Sequence, residues 1–587
     1  MGRIGRDADH RRRWGQVRSV VALIGLALAT QAAPLPAQTR TMYDVRVPMR
    51  DGVGLSTDVW LPDADGRFPA ILIRSPYLKA TMFVRYEMEY FVRHGYAVVL
   101  QDVRGRGDSD GRFHFYFGEG QDGYDTIEWI AQQPWSNGDV GTSGGSYLGT
   151  VQWLAARERP PHLRCMIPTA SSGRLFDELP YLGGAFRLGW AIDWLNDTSA
   201  RSSQRAGAES LDWEAILAHR PLFTLDDFMG RRIPLWKEFL QHNTLDEYWA
   251  PLDFEAPDFQ QIDIPVLTVT GWFDGDQPGA LSYWDGMARH NPGNAEHYLV
   301  MGPWLHAQTY LGGALQVGEL ELSPASVLPI QEIRRQFFDY CLKGSTPSFD
   351  APTAHAYLTA AGRWLELDEY PPPQAEPTRL YLHSNGAANS LVGDGRLTWD
   401  APTMAEPPDR FVYDPRNPVP TVGRAVDQRP VQRRDDVLVY TTELLEDTLA
   451  IMGRVFVRLH AASDALDTDF TAKIEDVQPD GRAILLGPTE AGSVRRARYL
   501  KGYRGTELLT PNRPELFEIE LFDIGHAFLP GHRIRIEISS SAFPMVNPNQ
   551  NTGNPVASDT EWKTASQTVF HDAERPSHVL LPVLRWE

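Results

Sequence analysis

Cysteine is scarce: Cys165 and Cys341 are the only two in 587 residues. That count leaves no room for a disulfide framework, and neither residue has the paired spacing of a zinc site. Cys165 lies in Arg164-Cys-Met-Ile-Pro168, which reads as a buried strand, and Cys341 in a helix-like stretch far along the chain. Both are expected as separate packed thiols rather than a bridge. Positive charge is in deficit too, with 56 basic against 76 acidic residues and a formal net charge of −20. A chain this acidic argues against nucleic acid or an anionic membrane surface as partner. Long hydrophobic runs are missing: Val20–Ala29 is too short to span a bilayer comfortably. It follows Arg11, Arg12, Arg13 and Arg18 and precedes small residues through Ala37-Gln38, the pattern of a signal peptide over residues 1–38. Its removal takes away six Arg and two Asp, a net of +4, and moves the formal charge from −20 to −24. A secreted or periplasmic protein, with no membrane attachment after signal removal, is expected. No internal repeat or low-complexity block stands out. The remaining composition, 42% hydrophobic and 22% charged, is ordinary for a globular chain whose length calls for two or three domains.

What is present is a serine in a tight, glycine-flanked turn. Gly144-Gly145-Ser146-Tyr147-Leu148-Gly149 follows a short β-type stretch and precedes Val151–Arg157, an amphipathic helical run. Strand, sharp turn and helix together form a nucleophile elbow, which pushes one hydroxyl out at the carboxyl end of a sheet. Glycines suit such a turn because neighbouring Cβ atoms have no room beside a strained nucleophile. An ordinary Gly/Ser turn carries the same short pattern, so residues elsewhere have to decide.

Two later strands supply them. Ile264–Thr270 is a continuous apolar, β-branched run leading into Gly271-Trp-Phe-Asp274. His297–Met301 is a second, ending in Gly302-Pro-Trp-Leu-His306. Each places one ionisable residue in the loop at a strand's carboxyl end, where open α/β sheets keep their chemistry. The order Ser146, Asp274, His306 is that of α/β-hydrolases. A serine hydroxyl needs a base such as His306, and the imidazole needs an acid such as Asp274 to fix its tautomer. An oxyanion would call for the backbone N–H of Tyr147 and a second donor from a loop after an early strand. This chemistry requires no cofactor and no metal.

These motifs, with Met49–Asp58, Arg74-Ser-Pro-Tyr77, Asp102–Gly111, Trp135-Ser-Asn-Gly138, Phe337–Gly344, Pro530–Ser540 and Asn549–Gly553, resemble the cocaine esterase-like (CocE/NonD) hydrolases. That group also takes in α-amino acid ester hydrolases, glutaryl acylases and Xaa-Pro dipeptidyl-peptidases. The resemblance implies Ser146 as nucleophile, His306 as base, Asp274 as its orienting acid and the Tyr77 phenol as oxyanion donor. In the amino acid ester branch, two acidic residues after the catalytic Asp help bind the substrate ammonium. Here Asp276 stands at one of those positions and Gln277 at the other. Asp276 is therefore a candidate substrate-binding residue, with loop ordering as its alternative. Asp177 and Glu178 could add charge from the segment above the sheet.

The expected architecture is an α/β-hydrolase doubly wound sheet (39–170 and 263–350), interrupted by a helical cap (171–262) and followed by an all-β jelly roll (351–587). Strands alternating with helices support the first part. Tryptophan-rich helical stretches such as Pro234–Leu240 support the cap, and short alternating strands such as Val455–His460 and Arg533–Ile538 support a β-sandwich. The implied partner is a small ester, amide or short peptide, cleaved through an acyl-enzyme. Xaa-Pro dipeptidyl-peptidase, α-amino acid ester hydrolase and acyltransferase activities stay open as alternatives, and so does a homo-oligomeric state.

Overall fold

Runs of β-branched and aliphatic residues with no polar alternation form strands buried on both faces. In this computed structural model, which describes residues 40–202, 211–293 and 295–585, ten strands make one mixed sheet. The expected signal peptide lies outside the described residues. In chain order the strands and main helices are β1 (Arg40–Pro48), β2 (Gly54–Leu61), β3 (Phe68–Ser75), α1 (Met82–Arg93), β4 (Ala97–Asp102), α2 (Glu119–Ala131), β5 (Ser136–Gly145), α3 (Tyr147–Arg157) and β6 (Leu163–Thr169). They continue with β7 (Val266–Phe273), α4 (Gln277–His290), β8 (His297–Leu305), α5 (His306–Leu311), α6 (Ile330–Lys343), β9 (Ala354–Leu358) and β10 (Arg363–Leu367). The sheet order is β1-β2-β4-β3-β5-β6-β7-β8-β9-β10. From β4 through β9 the pairings are parallel, and antiparallel strands finish both edges. β3 and β7 are buried at every position, so helices must cover both sheet faces. Their carboxyl ends, with that of β5, lie on the same edge of the sheet.

Three features depart from the sequence reading. Cys165 and Cys341 form a disulfide, with Cα atoms 6.3 Å apart and a separation of 176 positions in the chain. The reason is tertiary: α6 packs across β6 and brings two residues together that sequence distance separates. The sheet also continues past residue 350, because β9 pairs in parallel with β8 and β10 closes the edge. Short strands between turns look alike in a sheet edge and in a sandwich. Finally, the segment between β6 and β7 is not purely helical. Above short helices such as Trp213–Ala218 and Pro234–Gln241, the pieces Leu175–Phe176, Leu179–Leu182 and Ala185–Phe186 form a small sheet.

The remainder is all-β, a second sheet assembly with long strands such as Leu449–Ser463 and Glu515–Phe528 around Ile451, Val457, Phe517, Ile519 and Ile536. It is docked on the first part: Gln277 Nε2–H donates to the Asp523 carbonyl at 2.8 Å. Among the described residues, no helix is long and apolar enough to cross a membrane.

Candidate active site

The turn at the end of β5 is strained as an elbow should be. Ser146 has φ 61° and ψ −128°, a conformation that costs a side-chain-bearing residue about 1–3 kcal/mol and persists only where its surroundings enforce it. Its N–H donates to the Thr169 carbonyl of β6 at 2.9 Å, and α3 begins at the next residue. As the first residue of α3, Tyr147 presents a backbone N–H with no intrahelical acceptor, beside the serine. Its side chain points away into the core. The phenol donates to the Phe115 carbonyl, lies 3.1 Å from Glu119 and stacks on Tyr116. Glu119 is clamped by Arg74 at 2.7 Å, yet burial pushes its carboxyl up to about 7. This buried column fixes the floor of the elbow.

The carboxyl ends of β7 and β8 deliver Asp274 and His306 to each other. His306 Nδ1 lies 2.7 Å from Asp274 Oδ1, and the Asp274 side chain is fully buried. The other Asp274 oxygen accepts from Thr270 Oγ1 at 3.1 Å. A carboxylate there assigns the proton to Nδ1 and leaves Nε2 as the acceptor. Asp276 Oδ2 is 3.8 Å from the same Nδ1. Burial opposes the imidazolium, but Asp274 and Asp276 outweigh it and raise the His306 pKa to about 9.

Tyr77 closes the site from the loop after β3. Its hydroxyl accepts a hydrogen bond from Trp194 Nε1–H at 2.9 Å, which leaves its own O–H able to donate, and Ser146 is near enough to act on its pKa. Burial pushes this phenol up to about 12, so it stays a donor through the neutral range. The Arg/Gly/Asp-rich loop after β4 holds the Tyr77 loop in place. Arg106 Nε–H donates to the Pro76 carbonyl at 2.7 Å and Nη1–H to the Thr198 carbonyl of the cap at 3.0 Å, while Asp102 accepts from the Lys79 N–H at 2.6 Å. Trp194 stacks on Trp190 and borders Phe113 and Phe115, giving one wall of the site an aromatic surface.

The acidic side is organised differently from its sequence pattern. Gln277 is fully buried and faces the all-β part, so its side chain joins two structural units and does not enter the site. Asp177 pairs with Arg174 at 2.6 Å. Glu178, 1% exposed, accepts the Gly173 and Arg174 N–H groups at 3.0 Å through one oxygen. Burial, and then the charge of Asp276, push Glu178 up to about 8. Arg187 and Arg424 flank Gly275; burial raises the Asp276 pKa, and the charges of His306 and Arg187 only partly oppose it. Asp276 therefore already has cationic company.

Residues 51–308 match the X-Pro dipeptidyl-peptidase (S15 family), and residues 347–580 match the X-Pro dipeptidyl-peptidase C-terminal non-catalytic domain. The cocaine esterase of Rhodococcus sp. (strain MB1 Bresler) is 35% identical over 586 residues, covering 92% of this chain and 98% of that one. The chain belongs to this family of cocaine esterase-like serine hydrolases. Among solved structures, an aminopeptidase from a marine sediment archaeon, Thaumarchaeota archaeon, superposes with a TM-score of 0.83 at 26% identity, covering 94% of this chain and 99% of that one. An α-amino acid ester hydrolase does so with a TM-score of 0.83 at 28% identity, over 93% and 97% of the two chains.

Sequence reasoning missed four residues of this serine hydrolase's site: Trp194, Arg187, Arg424 and Tyr310. The first three come from the cap and the all-β part, and no local pattern ties them to the elbow. Tyr310 had a signal available, since it stands four residues after His306 and α5 places such pairs on one face. Its phenol is 2.9 Å from His306 Nε2.

Proposed function

We propose that this chain is an exported esterase or amidase that works through Ser146, His306 and Asp274 and passes through an acyl-enzyme. The observation that carries the reading is the 2.7 Å contact of His306 Nδ1 with buried Asp274, at the mouth of the strained Ser146 turn. Ser146 Oγ attacks the acyl carbon while its proton passes to the imidazole, whose positive charge Asp274 stabilises. The oxyanion is met by the Tyr77 O–H and the Tyr147 N–H, which are held in place before the reaction begins. The imidazolium then protonates the leaving group, and water repeats the sequence on the acyl-enzyme. The aromatic wall around Trp190 and Trp194 suits an apolar acyl or leaving group. Export rests on the basic, apolar and small-residue pattern of residues 1–38, and a disulfide suits an oxidising compartment.

A second reading, with substrates carrying an α-ammonium group, is favoured by Asp276 and Glu178 beside the triad and by the names of the two solved structures. Asp276 already faces Arg187 and His306, and burial raises its pKa and so disfavours the charge an ammonium would need, so the neutral-acyl reading is preferred. The test is a panel of p-nitrophenyl esters, α-amino acid methyl esters, glutaryl amides and Xaa-Pro amides, run with wild type and Ser146→Ala, together with fluorophosphonate labelling. Labelling of Ser146 with preferred turnover of neutral esters is expected. Preferred turnover of α-amino esters would select the second reading.

A further inference from the structure

The two groups placed to meet an oxyanion, the Tyr77 phenol and the Tyr147 N–H, come from different loops of the core, and one cap residue touches both. Trp194 Nε1–H donates to the Tyr77 hydroxyl at 2.9 Å, and its indole stacks on the Tyr147 ring with centroids 6.2 Å apart. We propose that Trp194 is a positioning residue of the oxyanion site, whose indole N–H turns the Tyr77 proton toward the reacting carbonyl. The oxyanion site is then complete only when the cap is seated. The proposal rests on the reading of Ser146 and Tyr77 given above.

The chemistry of the two side chains sets the direction. An indole N–H donates and has nothing to accept with, so the Tyr77 proton gains nothing by pointing at it. A phenol that has accepted on one side offers its own O–H on another. Without Trp194, that hydroxyl would be free to rotate and donate elsewhere. Accepting also polarises the O–H, because hydrogen bonds in series strengthen one another. Burial pushes the Tyr77 phenol up to about 12 and the Trp194 bond pulls against it, the sense expected of a stronger donor. An oxyanion donor gains from such preorganisation, since a dipole already aimed costs no reorganisation during the reaction.

The backbone around Trp194 closes a ring of contacts on the Tyr77 loop. Thr198 Oγ1–H donates to the Trp194 carbonyl at 2.8 Å. The Thr198 carbonyl accepts from Arg106 Nη1–H at 3.0 Å, and Arg106 Nε–H donates to the carbonyl of Pro76, the residue before Tyr77, at 2.7 Å. Cap and loop are thus tied twice, once through the peptide before Tyr77 and once through its phenol. Trp194 sits in a π-type turn, Ala191–Leu195, between short α-helical pieces at Leu188–Trp190 and Asn196–Thr198. Such a wide turn is rare, and where it interrupts a helix it frequently marks a functional site. Trp190 and Phe115 brace the indole, the first stacked at 5.4 Å and the second edge-on at 5.6 Å.

The rival role is a wall only, in which Trp194 packs against the acyl group and its N–H is incidental. Trp194→Phe separates the two, because it keeps an aromatic ring and removes the N–H. Positioning predicts a fall in kcat of about tenfold on p-nitrophenyl acetate with KM little changed, the worth of one hydrogen bond. The rate of fluorophosphonate labelling at Ser146 should fall by a similar factor. In a Tyr77→Phe background the same substitution should cost nothing further, because the hydroxyl it aims is gone. A wall predicts a rise in KM that grows with acyl size and persists in full in the Tyr77→Phe background. That outcome, or losses in kcat that multiply in the double variant, overturns the proposal. Should Phe lower the melting temperature, Trp194→benzothienylalanine, an indole isostere with sulfur in place of N–H, repeats the test at constant shape. If Tyr77→Phe slows turnover and Trp194→Phe does not, positioning fails and the serine-hydrolase reading stands. If wild type neither labels nor turns over, that reading fails and takes the proposal with it.

Discussion

Two Ser–His–carboxylate clusters occur among the described residues, and they are arranged in opposite ways. At the carboxyl edge of the first sheet, His306 is about one-third exposed and has a carboxylate on Nδ1 and a phenol on Nε2. In the all-β part, His571 is fully buried with a carboxylate on each nitrogen, Glu406 at Nδ1 and Asp409 at Nε2, both at 3.0 Å. Ser384 lies 3.1 Å from His571 Nε2 and 2.8 Å from both Asp409 oxygens. The hydroxyl of that second serine is committed to these partners and to the Gly386 N–H, and the residue is buried, so no substrate could approach it. The residue types agree between the clusters. What separates them is an elbow that thrusts the serine outward, and one imidazole nitrogen free of carboxylate, ready to accept a proton from an O–H group.

The sharpest test of that contrast is to remove each serine. Ser146→Ala should lower turnover by at least about 10⁴-fold while melting at the wild-type temperature. Ser384→Ala should leave kcat/KM unchanged and lower stability by about 1–3 kcal/mol in urea titration, because it strands buried acceptors. Comparable activity loss in both variants would erase the distinction. Next in size is the orienting acid: Asp274→Asn should cost about 10⁴-fold in kcat, since an amide no longer selects the Nδ1–H tautomer. Tyr77→Phe should cost about 10²–10³-fold in kcat with little change in KM, as expected of a donor to the oxyanion. A pure KM effect would make Tyr77 a packing residue.

Smaller effects appear along the pH axis. With His306 as the proposed base, which must be neutral to work, activity should fall as pH drops through the His306 pKa. That acid limb should lie above the 6.5 of a free imidazole, toward about 9. Asp276→Asn removes one of the two charges holding it up and should move the limb downward for neutral esters. A limb that stays put, with a selective loss on α-amino esters, would instead assign Asp276 to the substrate ammonium. His571 gives a stability signal, not a rate signal. Burial opposes its charge, but Asp409 and Glu406 raise its pKa in the folded state. Its contribution is complete below about 6.5 and is lost as pH rises through the folded value. The pKa of Asp409 is lowered despite its burial, because His571, the Ala388 N–H and Tyr440 hydrogen-bond to it. Its contribution is present above the ordinary 3.8 and is lost as pH falls through the folded value. The gap in urea midpoint between wild type and His571→Gln should therefore be largest near pH 5–6 and shrink above pH 7.

Much of the fold was legible because its signals are local. The runs in β3, β7 and β8 are apolar enough to mark buried parallel strands, and the spacing around Ser146, Asp274 and His306 puts each at a strand end. All three lie at the carboxyl edge of one parallel run of strands, and Asp274 and His306 end adjacent strands. Residues whose meaning is tertiary were not legible. Gln277 looked like half of a disrupted acidic pair, but its side chain serves the junction with Asp523. Cys165 and Cys341 carry no pairing signal until α6 is laid across β6. Trp194 reaches the site from a π-type turn at Ala191–Leu195, in a segment with little periodicity to read.

The disulfide also sets the covalent connectivity of the site. The loop it closes, from Cys165 to Cys341, contains the whole cap together with Asp274, His306 and Tyr310, while Ser146 lies outside it. A protease that cuts any single peptide bond within that loop opens a ring but does not release a fragment. Ser146 and His306 stay parts of one molecule, able to find each other again after the cut ends separate. One sulfur–sulfur bond thus turns the large insertion between β6 and β7 from the place where the chain could be cut in two into a place where it can be nicked and remain whole.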